Sequence, residues 1–254
     1  MNGHVRVLES DGLLRLTLDR PPLNVLTTEM LRGLESALST TLDRPEIRVV
    51  RLDAEGKAFS AGVDIADHEG DKVRSMMDAL ESLFVTFEKV EIPVVSVVHA
   101  AALGGGCELT LGSDLCLAAR GAKFGQPEIR LGLFAPPATV LLPRWIGERA
   151  AADLLLTGRT ISAEEALSLG LVSRVFDDGQ LAGAAGRLIE EMLSFSGVAL
   201  RQTKKALRTA RTGTVPRAHR RVNELYLTEL MRTRDAHEGL RAFMEKRAPD
   251  WLHR

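Results

Sequence analysis

A chain of 254 residues with 45% hydrophobic and 26% charged side chains has the composition of an ordinary globular protein, large enough to bury a substantial core. A formal net charge of -1 gives no global bias toward nucleic acid or membrane surfaces, and no apolar run approaches the length of a membrane span. Two cysteines, Cys107 and Cys116, are too few for a disulfide framework, 4% aromatic content argues against a base-stacking platform, and neither CxxC nor HExxH appears, so no metal is expected.

The opening MNGHVRVLESDG lacks the regions of a secretory signal, which leads to the expectation of a soluble protein of the reducing cytoplasm. Val5 to Glu9 and Leu13 to Asp19 flank Asp11-Gly12, and Leu14, Leu16 and Leu18 alternate with Arg15 and Thr17, as in a hairpin with one buried face. After Pro21-Pro22, Leu31, Leu34, Leu38 and Leu42 recur at helical spacing, and the apolar run Ile47 to Leu52 follows Pro45. Asp71 to Val90 again carries one apolar helical face, from Val73 to Phe87, before Ile92-Pro93 stops it and a continuous apolar strand begins. A second helix is expected from Gly105 and a strand from Leu115 to Ala119, followed by an irregular link. The pattern is α/β or α+β layering.

Beyond Pro143 helices dominate: Glu148 to Leu156, Ser162 to Leu169 with the capping-box pair Ser162 and Glu165, then roughly Gln180 to Phe195, Val198 to Ala210 and Pro216 to Met244. Only Leu171 to Phe176 interrupts them as a short apolar stretch. Between Met192 and Asn223 there are eight Arg or Lys residues and no acid, a pattern open to three readings: a solvated face, a phosphate site or a subunit contact.

Three stretches carry the chemistry. In VVSVVHAAALGGGCELTLGSDLCL, a buried strand breaks into Gly104, Gly105 and Gly106 and then a helical turn bearing Glu108, so free N–H groups at a helix start can meet an oxygen that becomes negative. GKAFSAGVDI, from Gly56 to Ile65, puts Ala61 and Gly62 after a strand and offers a second N–H donor. KFGQPEIRLGL, from Lys123 to Leu133, places Glu128 after Pro127 in an apolar setting that would raise a carboxyl pKa. Two carboxyls and two backbone donors are the minimum apparatus for adding water to a double bond conjugated to a carbonyl.

FSAGVDI, ALGGGCEL, FGQPEIRLG, LTGRTISAEEALSLGLVSRV and the closing AFMEKRAPDW stand together in an order and spacing that resembles the enoyl-CoA hydratase/isomerase family, the crotonase fold. That resemblance implies a spiral of repeated ββα units as a core over 1–195 and a C-terminal helical trimerisation region over 196–254. It implies an acyl-CoA substrate, no cofactor beyond the coenzyme A of that substrate, and a homotrimer or hexamer. It assigns the thioester-oxygen donors to the N–H groups of Ala61 and Gly105, and the water and proton chemistry to Glu108 and Glu128. Leu23, Val25, Val63, Asp64 and Ile65 match positions that line the coenzyme, and Phe243 and Lys246 match positions that reach it, often from a neighbouring subunit. Cys107 and His99 receive no chemical role.

Both glutamates favour a hydratase over an isomerase, in which Glu128 alone would shuttle the proton. One departure concerns the glycine-rich PGAGGTQRL of ordinary members, which here reads FAPPATVLLPR, so that Pro136 and Pro137 offer no N–H to a water. With FSAGVDI followed by DH, this segment looks like that of the cyclohexa-1,5-diene-1-carbonyl-CoA hydratases. A third reading, an RNA-binding member, rests on the basic Arg201 to Arg221 stretch and is opposed by the two retained acids.

Overall fold

The computed structural model describes residues 4–253; residues 1–3 and 254 of the two expected segments lie outside the described residues. Nine strands, β1 Val5–Ser10, β2 Leu13–Leu18, β3 Val49–Ala54, β4 Val94–Val98, β5 Ala102–Leu103, β6 Leu115–Ala119, β7 Lys123–Gly125, β8 Thr160–Ser162 and β9 Arg174–Phe176, form two sheets among the described residues. The larger has the order β1-β2-β3-β4-β6-β9 and the smaller β5-β7-β8. The hairpin expected at Asp11-Gly12 is present, and both turn residues have positive φ, 47° and 90°, as a two-residue turn matched to strand twist requires. From β2 onward the large sheet is parallel.

The parallel strands are apolar on both faces because both faces are covered. Val50, Leu52, Val94 and Val98 join the main core with α1 Thr28–Ser39 and α2 Lys72–Lys89. Their neighbours Val49, Val95, Val97 and Leu117 pack on the other side against Leu181, Ala185 and Ile189. Between the strands lie α3 Gly105–Leu111, α4 Pro136–Ile146, α5 Glu148–Thr157 and α6 Ala163–Leu169, followed by α7 Leu181–Leu193, α8 Gly197–Ala210, α9 Val215–Thr228 and α10 Arg234–Glu245. Both β4-β5-α3 and β6-β7-α4 send their first strand to the large sheet and their second to the small one, and Ser60, bridged to Ala102, plays the second-strand part after β3. This repeat stacks three chain turns so that their second strands converge. The site forms at that convergence.

Several expectations are corrected. Leu42 falls in a short 3-10 turn and is 44% exposed, so it is not part of the buried α1 face. The single helix expected from Pro216 to Met244 is two, because the chain breaks after Thr228 and the Thr233 hydroxyl restarts it by accepting the Ala236 N–H. The link after Gly132 contains α4, which starts at Pro136-Pro137 and runs through Pro143. Proline is tolerated at a helix's first turn, where its missing N–H would find no intrahelical acceptor. The Ser162–Glu165 cap forms as expected, and Gly170 ends α6 with φ 86°.

Much of the basic stretch is consumed within the chain. Lys204, 5% exposed, donates to the Ile92 carbonyl at 2.7 Å and pairs with Asp114 at 2.6 Å. Burial pushes its ammonium down to about 8 against the pull of Asp114. Arg208 donates to the Phe87 and Glu88 carbonyls, Arg201 to those of Pro45 and His253, and Lys205 pairs with Glu229. These contacts seat α8 on the core, which counts against a continuous cationic face for RNA.

Candidate active site

Glu108 projects from α3 and is 2% exposed. Its Oε1 accepts the Ala138 N–H at 3.0 Å. Ala138 is the third residue of α4, so its N–H has no intrahelical acceptor, and the prolines at the first two positions leave it as the donor that this turn turns toward the carboxyl. The prolines therefore do not strip this wall of donors, as the sequence suggests they would. Burial pushes Glu108 up to about 8, the Ala138 N–H pulls it down and the charge of Glu128 pushes it further up.

Glu128 lies in the 3-10 turn Pro127–Leu131. Its carboxyl packs against Gly104, where φ is +51° and a Cβ would collide with Glu128 Oε1. Glycine is required there on both counts. Burial raises the Glu128 pKa, while its own backbone N–H and His68 nearby lower it. Glu128 Oε2 is buried with no hydrogen-bond partner, as are both amide atoms of Gln126, a residue 1% exposed. Unpaired buried oxygens of this kind mark a place built for a further polar group.

Of the two expected N–H donors, one is corrected. The Ala61 N–H already donates to the Leu23 carbonyl at 2.9 Å, and the Gly62 N–H to Ser60 Oγ at 3.2 Å, so neither is available to a thioester oxygen. The next amide is Val63. Leu26 bridges Val63 by bonding the residues on either side, Gly62 and Asp64, and among the described residues the Val63 N–H itself has no acceptor. A Cβ on Gly105 would lie 3.3 Å from Val63 N, so the start of α3 and the Val63 backbone are close neighbours. Free backbone donors near carboxyls are the parts from which an oxyanion hole can be built.

The remaining expected residues spread around this centre. Leu23, 45% exposed, and Ile65, 63% exposed, leave apolar side chains on the rim. The Val25 carbonyl accepts from Arg20, and Asp64 accepts the Ala66 N–H and approaches Arg20 at 3.5 Å, so both brace the loop. Asp67 ties the same loop to α1 by accepting the Thr28 N–H and hydroxyl at 2.8 and 2.9 Å. Phe243, 85% exposed, and Lys246, which ends α10 with φ 55°, sit on a helix that packs against α8 and the Leu230–Arg232 turn. Cys107 is buried and burial pushes its thiol well up, and His99 hydrogen-bonds the Gly56 carbonyl.

A family model described as enoyl-CoA hydratase/isomerase matches residues 9–254. The chain belongs to this family. It is 41% identical to the cyclohexa-1,5-dienecarbonyl-CoA hydratase of Thauera aromatica, over 97% of this chain and 96% of that one, and 37% identical to a probable enoyl-CoA hydratase of Mycobacterium bovis, over 94% of each. The crystal structure of the enoyl-CoA hydratase of Bacillus anthracis superposes with a TM-score of 0.93 at 31% identity, over 99% of this chain and all of that one. The α/β architecture is thus the crotonase fold of the family. Among the described residues no helix is long and apolar enough to cross a membrane, and no group of three or more His, Cys, Asp or Glu side chains could hold a metal ion.

The buried Glu108 has a measurable cost. Below pH 4.5 folded and unfolded chains both hold the proton; between pH 4.5 and about 8 the unfolded chain releases it while the folded chain keeps it, so the folded state binds more protons and stability falls as pH rises. Glu108→Gln removes this penalty. Its melting temperature is expected to exceed that of the parent at pH 8 and to match it below pH 4.5. Each kcal/mol recovered appears as about 2–4 °C for a chain of this size. Equal melting temperatures at both pH values would show that Glu108 is not held neutral by burial.

Proposed function

We propose that this chain hydrates an α,β-unsaturated acyl-CoA, and that its substrate is the cyclic dienoyl thioester cyclohexa-1,5-diene-1-carbonyl-CoA. The observation that carries the reaction type is the convergence of Glu108 and Glu128 beside the paired N–H groups of Val63 and Gly105. The thioester oxygen accepts from Val63 and Gly105, which stabilises the enolate as it forms. Water lies between the glutamates. One carboxylate takes its proton as the oxygen bonds to the β-carbon, and the other carboxyl delivers a proton to the α-carbon. Burial raises both carboxyls and the charge of Glu128 raises Glu108 further, which favours one carboxyl serving as acid and the other as base. No metal or redox cofactor enters this scheme, and the coenzyme A is part of the substrate.

The cyclic substrate is supported by the 41% identity to the Thauera aromatica enzyme and by the proline-led first turn of α4, which stiffens the wall beside Glu108. Leu23, Val25 and the Val63, Asp64 and Ile65 run take the coenzyme. Residues 196–254 form the oligomerisation region, and Phe243 and Lys246 reach a neighbour's coenzyme in a trimer or hexamer; the exposed Leu240, Phe243 and Met244 support a buried contact there. The activity is cytoplasmic in this reading. The purified chain is expected to hydrate the cyclic dienoyl-CoA with a kcat/KM well above that for crotonyl-CoA, and Pro136→Gly is expected to narrow the gap. A preference for crotonyl-CoA would contradict the cyclic substrate and leave hydration standing.

A further inference from the structure

His68, which follows FSAGVDI in the chain, has no part in the scheme above. It ends the 3-10 turn Ile65–His68 on the loop that carries Val63, is half-buried, and meets the Asp64 carbonyl through Nδ1 at 3.0 Å. A carbonyl oxygen can only accept, so Nδ1 carries the hydrogen and the lone pair of the neutral ring is on Nε2. Among the described residues Nε2 has no hydrogen-bond partner. The ring is anchored at one nitrogen and able to take or give a proton at the other.

The acids around His68 are not equivalent. The Asp64 carboxylate accepts the Ala66 N–H and faces Arg20, and Asp67 accepts the Thr28 N–H and hydroxyl and faces Lys72. Both are occupied. The Glu128 carboxyl packs on Gly104, and Gly62, at the root of the His68 loop, has its Cα 3.7 Å from the same Cβ position, so carboxyl and loop share one floor. A positive charge on His68 reaches Glu128 and favours its carboxylate, and Glu128 Oε2 has no partner among the described residues. Glu108, 2% exposed and bonded to the Ala138 N–H, is enclosed, whereas Glu128 is half-buried. Glu128 is the side of the pair that can reach solvent.

The role of His68 rests on the hydration scheme proposed above. Water addition puts the water's proton on one carboxylate and sends the other carboxyl's proton to the α-carbon, so each turnover leaves acid and base exchanged. One proton must leave the former base and one must reach the former acid. While the product hydroxyl occupies the place of the shared water, the direct path between the carboxyls is closed. We propose that His68 is the proton relay of the pair, passing a proton at Nε2 between Glu128, through an intervening water, and bulk solvent, with no net gain or loss over a turnover.

Single-turnover and steady-state rates of the full chain, with the cyclic dienoyl-CoA and with crotonyl-CoA, test this. His68→Gln, whose amide can keep the bond to the Asp64 carbonyl, is expected to leave the single-turnover rate and the melting temperature unchanged. Its steady-state kcat is expected to fall about a hundredfold, the lower end of what a positioned proton-transfer group contributes. His68→Ala is expected to show the same split and to regain kcat in a saturable way with added imidazole. A side chain that only braced the loop would slow the single turnover as well and gain nothing from imidazole, and that result would overturn the proposal. So would an unchanged kcat in both variants, which would show that the pair resets through its own water. A parent chain that hydrates neither thioester would overturn the reading of the site itself, and the relay with it.

Discussion

Glu108→Gln and Glu128→Gln are each expected to lower hydration by about a hundred- to ten-thousand-fold in kcat, the range for a positioned acid or base. KM is expected to change little, because glutamine keeps the volume of the side chain and, in the proposed complex, the thioester oxygen is still held by backbone. The physical basis differs between the two. Glu108 is fully enclosed and fixed by the Ala138 N–H, so its loss removes a carboxyl whose position is set by α4. Glu128 is held by packing against Gly104, and its Oε2 has no protein partner, so its loss removes the oxygen that is free to meet water or carbon. In the proposed mechanism the two act on one water. The double variant is therefore expected to be little worse than either single one, since groups that work as a unit are strongly non-additive.

In that mechanism the same pair is expected to set the pH dependence. If one carboxyl must be ionised and the other protonated, kcat/KM falls on the acid side as the first gains its proton and on the alkaline side as the second loses it. Burial places the alkaline limb near the value of about 8 to which Glu108 is pushed. An isomerase using Glu128 alone would respond differently: Glu128→Gln would abolish activity and Glu108→Gln would spare it. Steady-state rates of the two variants across pH decide between these outcomes.

Gly105→Ala is expected to cost about a hundred- to a thousandfold in kcat, the loss seen when one oxyanion donor is removed. The new Cβ would stand 2.7 Å from Val63 Cγ2 and 3.3 Å from Val63 N, so the Val63 loop must back away from α3 and the two N–H groups separate. That loop has little room to give, because the Leu26 bridge, Arg20 and Thr28 each tie it down. The effect is on the enolate more than on the bound thioester, which predicts a fall in kcat larger than the rise in KM. Single-turnover rates with the parent and Gly105→Ala enzymes check this, and a change confined to KM would remove Val63 and Gly105 from the oxyanion role.

Side-chain patterns made most of the fold legible in advance. Asp11-Gly12 marks a turn because both positions need positive φ, and the continuous apolar runs at Ile47 and Val94 mark strands covered on both faces. α4 was hidden because three prolines read as a broken link, although two of them occupy the first turn of a helix. The break before Thr233 was hidden because apolar periodicity runs on across it. At the site, Glu108, Glu128 and Gly105 carry distinctive side chains or the lack of one, and they converge. The Val63 and Ala138 donors are backbone amides that any residue but proline supplies, so only the path of the chain selects them over Ala61. Phe243 and Lys246 lie on α10, which packs against α8 and the Leu230–Arg232 turn, and any reach to a coenzyme belongs to the proposed oligomer.

The most direct test is to incubate the purified chain with cyclohexa-1,5-diene-1-carbonyl-CoA in oxygen-18 water and follow product mass beside the conjugated-thioester absorbance. Water addition between Glu108 and Glu128 predicts that absorbance is lost as the thioester gains one labelled water, and that Glu108→Gln and Glu128→Gln suppress both together. Loss of absorbance without label, from a double bond that moves but takes up no water, would contradict it.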